Sequence, residues 1–262
     1  MRTTLPAAAF LLAVLAGGTG CATTSRHSGS YDARKSMVRE SVRRGDWSTA
    51  FPAVNELHRE DPRDPEVLAL RGVVYREQKL LPEAEADLKQ SLEIDDGSAY
   101  AHASIAVLYE RIGQAQQALD HHRRATELEP TSAAYLNNLG FALLAHGNPK
   151  EATVAFREAL RLDPTSARTR NNLGFAYARA GDFVRASEQF ALAGTPAEAK
   201  NNLGYAYEST GNLAQAYEAY AEALRLDPAL ARARKNLAEV SRRLGRPVPN
   251  DVAQDPASSK EG

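Results

Sequence analysis

The chain has 262 residues, of which 43% are hydrophobic and 25% are charged, and its formal net charge is −1. This balance gives no electrostatic basis for binding nucleic acid, which calls for a basic surface. The single cysteine, Cys21, excludes an internal disulfide.

The first twenty residues have the layout of a signal peptide. Arg2 precedes an apolar run at 5–16, and Gly17-Gly18-Thr19-Gly20 leads directly to Cys21. A basic start, a short apolar core and a small-residue cleavage region are typical of secretion signals. The apolar run is too short to cross a membrane comfortably.

A cysteine directly after the small residues resembles a bacterial lipoprotein signal, in which cleavage leaves Cys21 as a lipidated N-terminus. Gly18 departs from the Leu, Val or Ile usual in that motif. An ordinary cleaved signal and an incidental thiol are the alternatives. By the same resemblance, Ala22 in place of Asp favours the outer membrane, and the polar residues 21–30 are interpreted as a lipidated tether.

A six-residue pattern, Asn-Asn-Leu-Gly-aromatic-Ala, occurs three times, starting at Asn137, Asn171 and Asn201. The copies are 34 and 30 residues apart. Self-similarity at such a period predicts stacked units, none of which buries its apolar face alone.

The pattern extends in both directions when Ala133 is numbered position 1 of a unit. Leu and Gly then fall at positions 7 and 8, Ala at 20 and 27, an aromatic residue at 24 and Pro at 32. This register predicts units at 31–64, 65–98, 99–132, 133–166, 167–196 and 197–230, followed by a capping helix at 231–245. The first two units match less closely, because position 7 holds Met37 or Arg71.

These slots together resemble the tetratricopeptide repeat (TPR), in which a first helix carries Leu-Gly and a second helix carries Ala, an aromatic residue, Ala and Pro. The resemblance covers residues 31 to about 245. It implies an all-α fold, a right-handed superhelix of about six helix-turn-helix repeats with a C-terminal capping helix. No long period-two alternation argues for a strand.

Packing and turn chemistry agree with this interpretation. Position 8 is expected to be small because two helices cross there, and a larger side chain would cost roughly 1–3 kcal/mol. The aromatic residue at position 24 is expected to fill the space between units. Left-handed residues are expected after four first helices, at Gly113, Gly147, Gly181 and Gly211. Proline ends second helices at Pro130, Pro164 and Pro228.

Two segments depart from the regular pattern. The unit 167–196 lacks four residues, about one helical turn, which keeps its apolar stripe in phase. It is interpreted either as a tolerated deletion with a local change of curvature or as a notch for a partner at Gly194-Thr195-Pro196. The tail, 246–262, is rich in proline and poor in apolar residues, which predicts disorder.

In the TPR fold, positions 2, 5, 6, 9 and 12 of the first helices face a concave groove. By resemblance the groove contains four asparagines at position 6, three aromatic residues at position 9 and one lysine at position 5: Asn138, Asn172, Asn202, Asn236, Phe141, Phe175, Tyr205 and Lys235. An amide both donates and accepts, so the asparagines are expected to pair with the main chain of an extended peptide. Helix capping or a family preference for Asn at position 6 is the alternative.

Five basic residues cluster near the C-terminal end of the array, at Arg232, Arg234, Lys235, Arg242 and Arg243. They form either a solvated face or a docking site for an acidic segment or peptide carboxylate. Lys235 and Asn236 resemble part of the carboxylate-clamp subclass of TPR proteins, but the other clamp units are not matched.

The residues give little support for catalysis. The six histidines have no metal-type spacing, and the chain contains no phosphate loop, nucleophile elbow or zinc-protease motif. The sequence therefore predicts a protein that is not an enzyme and that has no metal or cofactor.

A lipoprotein signal followed by about six repeats resembles the TPR lipoproteins of Tad (Flp) pilus assembly and the pilotin lipoproteins of type IV pili. The resemblance implies a scaffold or chaperone anchored by lipid to the outer membrane and facing the periplasm. Its partner would be a secretin or another envelope-assembly component. The alternative is an adaptor that recruits or regulates peptidoglycan enzymes.

Overall fold

The structure is a computed structural model that describes the main chain of residues 21–253 and the side chains from Gly29 onward. The expected signal peptide and residues 254–262 of the tail lie outside the described residues. The described part forms fourteen helices and no strand. The helices are α1 (Cys21–Arg44), α2 (Trp47–Glu60), α3 (Pro65–Glu77), α4 (Leu81–Ile94), α5 (Ala99–Arg111), α6 (Ala115–Leu128), α7 (Ala133–Ala145), α8 (Pro149–Leu162), α9 (Ala167–Arg179), α10 (Phe183–Ala191), α11 (Pro196–Ser209), α12 (Leu213–Leu226), α13 (Ala231–Leu244) and α14 (Asn250–Ala253).

The helices pack in the order of the chain. Each odd-numbered helix from α1 to α11 pairs with the next helix, and each pair stacks on the following one. The predicted all-α array of helix-turn-helix repeats is therefore confirmed. In the described residues no helix has both the length and the apolar character that crossing a bilayer requires.

A side-chain cap starts five of the first helices, α3, α5, α7, α9 and α11. Each cap has an oxygen that accepts a main-chain N–H from the first turn, which otherwise has no partner in the helix. The capping residues are Asp64, Ser98, Ser132, Ser166 and Thr195.

Left-handed residues end the first helices, as the sequence predicted for the last four repeats. Gly113, Gly147, Gly181 and Gly211 have φ values between 80° and 86°. In the second repeat Lys79 occupies the same turn with φ 67°, a backbone conformation in which glycine is favoured over other residues.

Glycine at position 8 lets the two helices of a repeat approach closely. A Cβ atom added at Gly140 would lie 2.7 Å from Cε1 of Phe156, and one at Gly174 would lie 2.5 Å from Cε1 of Phe190. The ring at position 24 thus packs within its own repeat. Phe156 also belongs to the same buried cluster as Leu173 of the next repeat, so the expected packing between units is only part of its role.

Arg71 shows how the second repeat accommodates a charge at the leucine position. Its guanidinium donates to both carboxylate oxygens of Asp87, at 2.6 and 2.7 Å, and also lies over the ring of Tyr75. The Arg71 and Asp87 side chains are 13% and 8% exposed. Burying the charge is tolerated because the pair is bidentate, which satisfies both partners.

The shortened repeat has a second helix, α10, of 9 residues, whereas α8 and α12 have 14. The segment after α10 forms the start of α11. Thr195 and Glu198 make a capping box, and Glu198 also accepts from Arg232 at 2.6 Å. These groups are engaged within the array, which favours a tolerated deletion over a partner notch.

The structure corrects the expected disorder of the tail for residues 246–253. Tyr217 donates to the carbonyl of Pro247 at 2.7 Å, and Arg246 lies 4.0 Å from the centre of the Tyr217 ring. Val252 is only 6% exposed and packs with α12 and α13. This segment covers an apolar edge that the capping helix leaves open, which composition alone did not reveal.

The N-terminal tether also differs from expectation in its main chain. Residues 21–30 are helical and run directly into the first helix of the array, rather than forming a separate linker.

We expect Gly174→Ala to destabilise the protein by about 1–3 kcal/mol, because the added methyl group overlaps the Phe190 ring. Without that contact, alanine would be favoured in a helix by about 1 kcal/mol. Urea unfolding of Gly174→Ala, Phe190→Ala and the double variant measures the coupling. The penalty of Gly174→Ala should disappear in the Phe190→Ala background, and an equal penalty in both backgrounds would contradict the contact.

Candidate partner-binding groove

The candidate groove is formed by first helices that lie side by side. Helices α7, α9, α11 and α13 contact their neighbours directly along the array. Residues at positions 5, 6 and 9 therefore repeat along one surface, with one copy of each position in every repeat.

The asparagines at positions 5 and 6 bond to one another across repeats. In each case Nδ2 of the position-6 residue donates to Oδ1 of the position-5 residue in the preceding repeat. The three bonds, here called the asparagine ladder, run from Asn172 to Asn137 at 3.0 Å, from Asn202 to Asn171 at 2.9 Å and from Asn236 to Asn201 at 3.2 Å.

Burial explains why the ladder is needed. Asn137 and Asn201 are only 7% and 5% exposed, and buried amides are nearly always hydrogen-bonded. The ladder starts in the fourth repeat because position 5 of the third repeat is Ala103, which has no side-chain amide to accept a bond. The four predicted position-6 asparagines thus lie in one line, and three of them donate to the preceding repeat, a bond that the sequence did not predict.

The aromatic row consists of Phe141, Phe175 and Tyr205. Phe141 is 53% exposed and Tyr205 55% exposed, whereas Phe175 is half-buried. Phe175 meets Tyr205 edge to face, with ring centres 5.7 Å apart, and contacts Phe190 of its own repeat at 4.9 Å. The structure therefore leaves apolar area on this surface without a covering side chain.

Most of the predicted basic cluster is engaged with acidic residues. Arg232 pairs with Glu198 and Arg243 with Glu208, each at 2.6 Å, and Arg242 pairs with Glu239. Lys235 is exposed and lies in none of the ion pairs of the described residues. The cluster is therefore largely neutralised, rather than a uniformly basic face.

Glu208 also links the cluster to the core. It accepts from the hydroxyl of Tyr220 at 2.9 Å while it pairs with Arg243. Burial, followed by the hydrogen bond to this carboxylate, raises the pKa of Tyr220 well above its usual range. Tyr220 therefore remains a neutral donor that orients the acid.

Two groove residues were missed by the sequence reasoning. Arg168 and Arg179 lie on α9 with Asn172 and Phe175, at spacings of four, three and four residues, which places all four on one helix face. Both arginines are exposed, and neither belongs to an ion pair among the described residues. Arg168 occupies position 2, which the TPR register already places on the groove, and the spacing of Arg179 from Phe175 was the signal for the second arginine.

Three of the six histidines make contacts within the third repeat. Nδ1 of His102 lies 2.8 Å from Nδ1 of His121, and Nε2 of His122 lies 3.1 Å from a Glu110 carboxylate oxygen. Within the described part of the chain, no three His, Cys, Asp or Glu residues are grouped as metal ligands would be.

Known proteins are similar to this chain in sequence as well as in architecture. Sequence profiles of the tetratricopeptide repeat family match residues 36–99, 133–166 and 197–230, together about half of the chain. A type IV pilus assembly protein, PilF of Pseudomonas aeruginosa, is 30% identical over 101 residues. That match covers 38% of this chain and 39% of PilF.

Solved structures resemble the fold over a longer stretch. The structure of Pseudomonas aeruginosa PilF superposes with a TM-score of 0.63 at 18% identity, over 81% of this chain and 98% of that one. PilW, a type IV pilus biogenesis factor, gives 0.65 at 18% identity, over 79% and 98%. YrrB, a TPR protein with an unusual peptide-binding site, gives 0.57 at 22% identity, over 70% and 96%.

We expect Asn172→Ala to lower the free energy of unfolding by about 1–3 kcal/mol, because it leaves the buried Asn137 carbonyl without its inter-repeat donor. The matched control is Asn138→Ala, which occupies the same position but donates to no preceding repeat and removes only a long contact, 3.5 Å, from Asn137 Nδ2. Urea unfolding should show a clearly smaller loss for the control. Equal losses would mean that the ladder does not stabilise the stack.

Proposed function

The chain is built from tetratricopeptide repeats, and we propose that it is a non-enzymatic scaffold that binds a protein partner through its groove during pilus assembly. The observation that carries this proposal is the aromatic row, in which Phe141 and Tyr205 remain more than half exposed. Aligned exposed apolar side chains commonly mark an interaction surface.

Similarity to pilus proteins supports the proposed role in pilus assembly. PilF matches in sequence over 101 residues, and both PilF and PilW share the fold. Because TPR folds serve many unrelated adaptors, the sequence match to PilF carries more weight than the fold.

The proposal includes a location. Cys21 would carry the lipid, the outer membrane would hold the anchor, and the array would face the periplasm. The partner would be a secretin or another envelope-assembly component. Residues 21–30 are part of helix α1, so an anchor at Cys21 would be joined to the first repeat by helix. Anchoring would confine the encounter to the membrane surface and raise the effective concentration of the partner.

Complementation of a deletion strain tests the groove. Deletion should abolish secretin multimers and surface pili, and the wild-type chain should restore both. Phe141→Ala/Tyr205→Ala should fail to restore them, because it removes the exposed rings of the row. The control, Val154→Ala/Val184→Ala, shortens two side chains on second helices that are 68% and 73% exposed, and it should complement fully.

Gel analysis of the multimers and electron microscopy of the pili provide the readouts. Full complementation by Phe141→Ala/Tyr205→Ala would show that the function does not require the groove. A deletion strain with normal pili and an altered muropeptide profile would instead support the peptidoglycan adaptor.

We expect Cys21→Ser to move the protein from the membrane fraction to the soluble periplasm. Acyl chains contribute about 0.8 kcal/mol per buried methylene, so their loss removes the anchoring energy. Fractionation followed by immunoblotting measures the distribution, with Ser25→Ala as the control that keeps the cysteine. Persistent membrane association of Cys21→Ser would contradict lipidation.

A further inference from the structure

We propose that the partner segment is an acidic amphipathic helix lying along the aromatic row. This inference rests on the proposed function and specifies the chemistry of the partner. It concerns the surface of α7, α9, α11 and α13 that contains the asparagine ladder and the row.

The spacing of the row fits a helix. The three aromatic residues come from successive first helices, and the ring centres of Phe175 and Tyr205 are 5.7 Å apart. Four residues of an α-helix rise about 6 Å and return to nearly the same face. An apolar stripe at i, i+4, i+7 and i+11 therefore presents side chains at about the interval of these two rings.

An extended peptide would lack partners for its main chain on this surface. A strand leaves its main-chain N–H and C=O groups to bond to a neighbour, whereas a helix pairs them internally. The ladder further disfavours main-chain pairing, because Asn172, Asn202 and Asn236 each use a side-chain N–H within the array. The remaining exposed area of the row is apolar.

The charges beside the row select an acidic partner. Arg168 and Arg179 lie on the α9 face that carries Phe175, and Lys235 lies on α13. None of the three is in an ion pair among residues 21–253, whereas the nearby acids are already paired. Those acids are Glu198, Glu208 and Glu239, held by Arg232, Arg243 and Arg242.

Synthetic peptides test this assignment on the full chain purified in detergent. The first peptide is an 18-residue sequence with Leu at helical spacing and Glu beside the stripe, labelled for fluorescence anisotropy. The second has Lys in place of every Glu, and the third has the composition of the first with Leu and Glu strictly alternating. We expect the first peptide to bind at least about tenfold more tightly than the other two, with affinity falling as salt rises.

Charge reversal on the protein locates the site. Arg168→Glu/Arg179→Glu should weaken binding of the first peptide by about tenfold, because two attractions become repulsions at the row. The matched control, Lys150→Glu/Arg157→Glu, makes the same change in charge at exposed positions of α8 and should leave affinity unchanged. Circular dichroism of each variant verifies that the array is folded.

Three outcomes would overturn the inference: no binding by the acidic helix, equal binding of the basic helix, or tighter binding of the alternating peptide. Equal weakening by the two charge reversals would do the same, because it would show attraction to net charge alone. These results would leave the proposed function standing if Phe141→Ala/Tyr205→Ala still failed to complement. Full complementation by that variant would contradict both this inference and the proposed function of the groove.

Discussion

The close approach of two helices at position 8, which is glycine in four of the six repeats, is the constraint on which the structure depends. At Gly140, Gly174 and Gly204 the ring at position 24 fills the space that a Cβ atom would take. The contact sets how each helix pair packs, and the stacking of pairs then sets the surface that the first helices share. The groove is therefore a consequence of packing inside the repeats.

The third and sixth repeats show how this constraint allows variation. Position 24 is His122 in the third repeat, where position 8 is Ala106, and Tyr220 in the sixth, where the ring packs against Gly204. Both carry a polar tip, and in both the tip meets a glutamate at position 12, Glu110 or Glu208. Where the ring is phenylalanine, position 12 is Leu144 or Ala178. A polar tip in a buried site requires a partner, which explains why the two positions change together.

In the proposed groove, stability and recognition would fall to neighbouring positions. Asparagines at positions 5 and 6 tie successive repeats together, while Phe141 and Tyr205 at position 9 stay more than half exposed. A ladder that orders the first helices would also hold the aromatic row in place. Such preorganisation would lower the cost of binding, since the surface need not be ordered when a partner arrives.

The sequence by itself determined the repeat register, the helix pairs and the turns, because these depend on local patterns: apolar spacing, left-handed glycines and terminating prolines. It also placed Asn138, Asn172, Asn202, Asn236 and the aromatic row on one surface. Only the tertiary structure decided what these groups bond to. The ladder joins residues 31 to 35 positions apart, the Arg71–Asp87 pair joins two helices, and the tail folds back on α12. Such contacts depend on the distance between stacked helices, which no local pattern in the chain specifies.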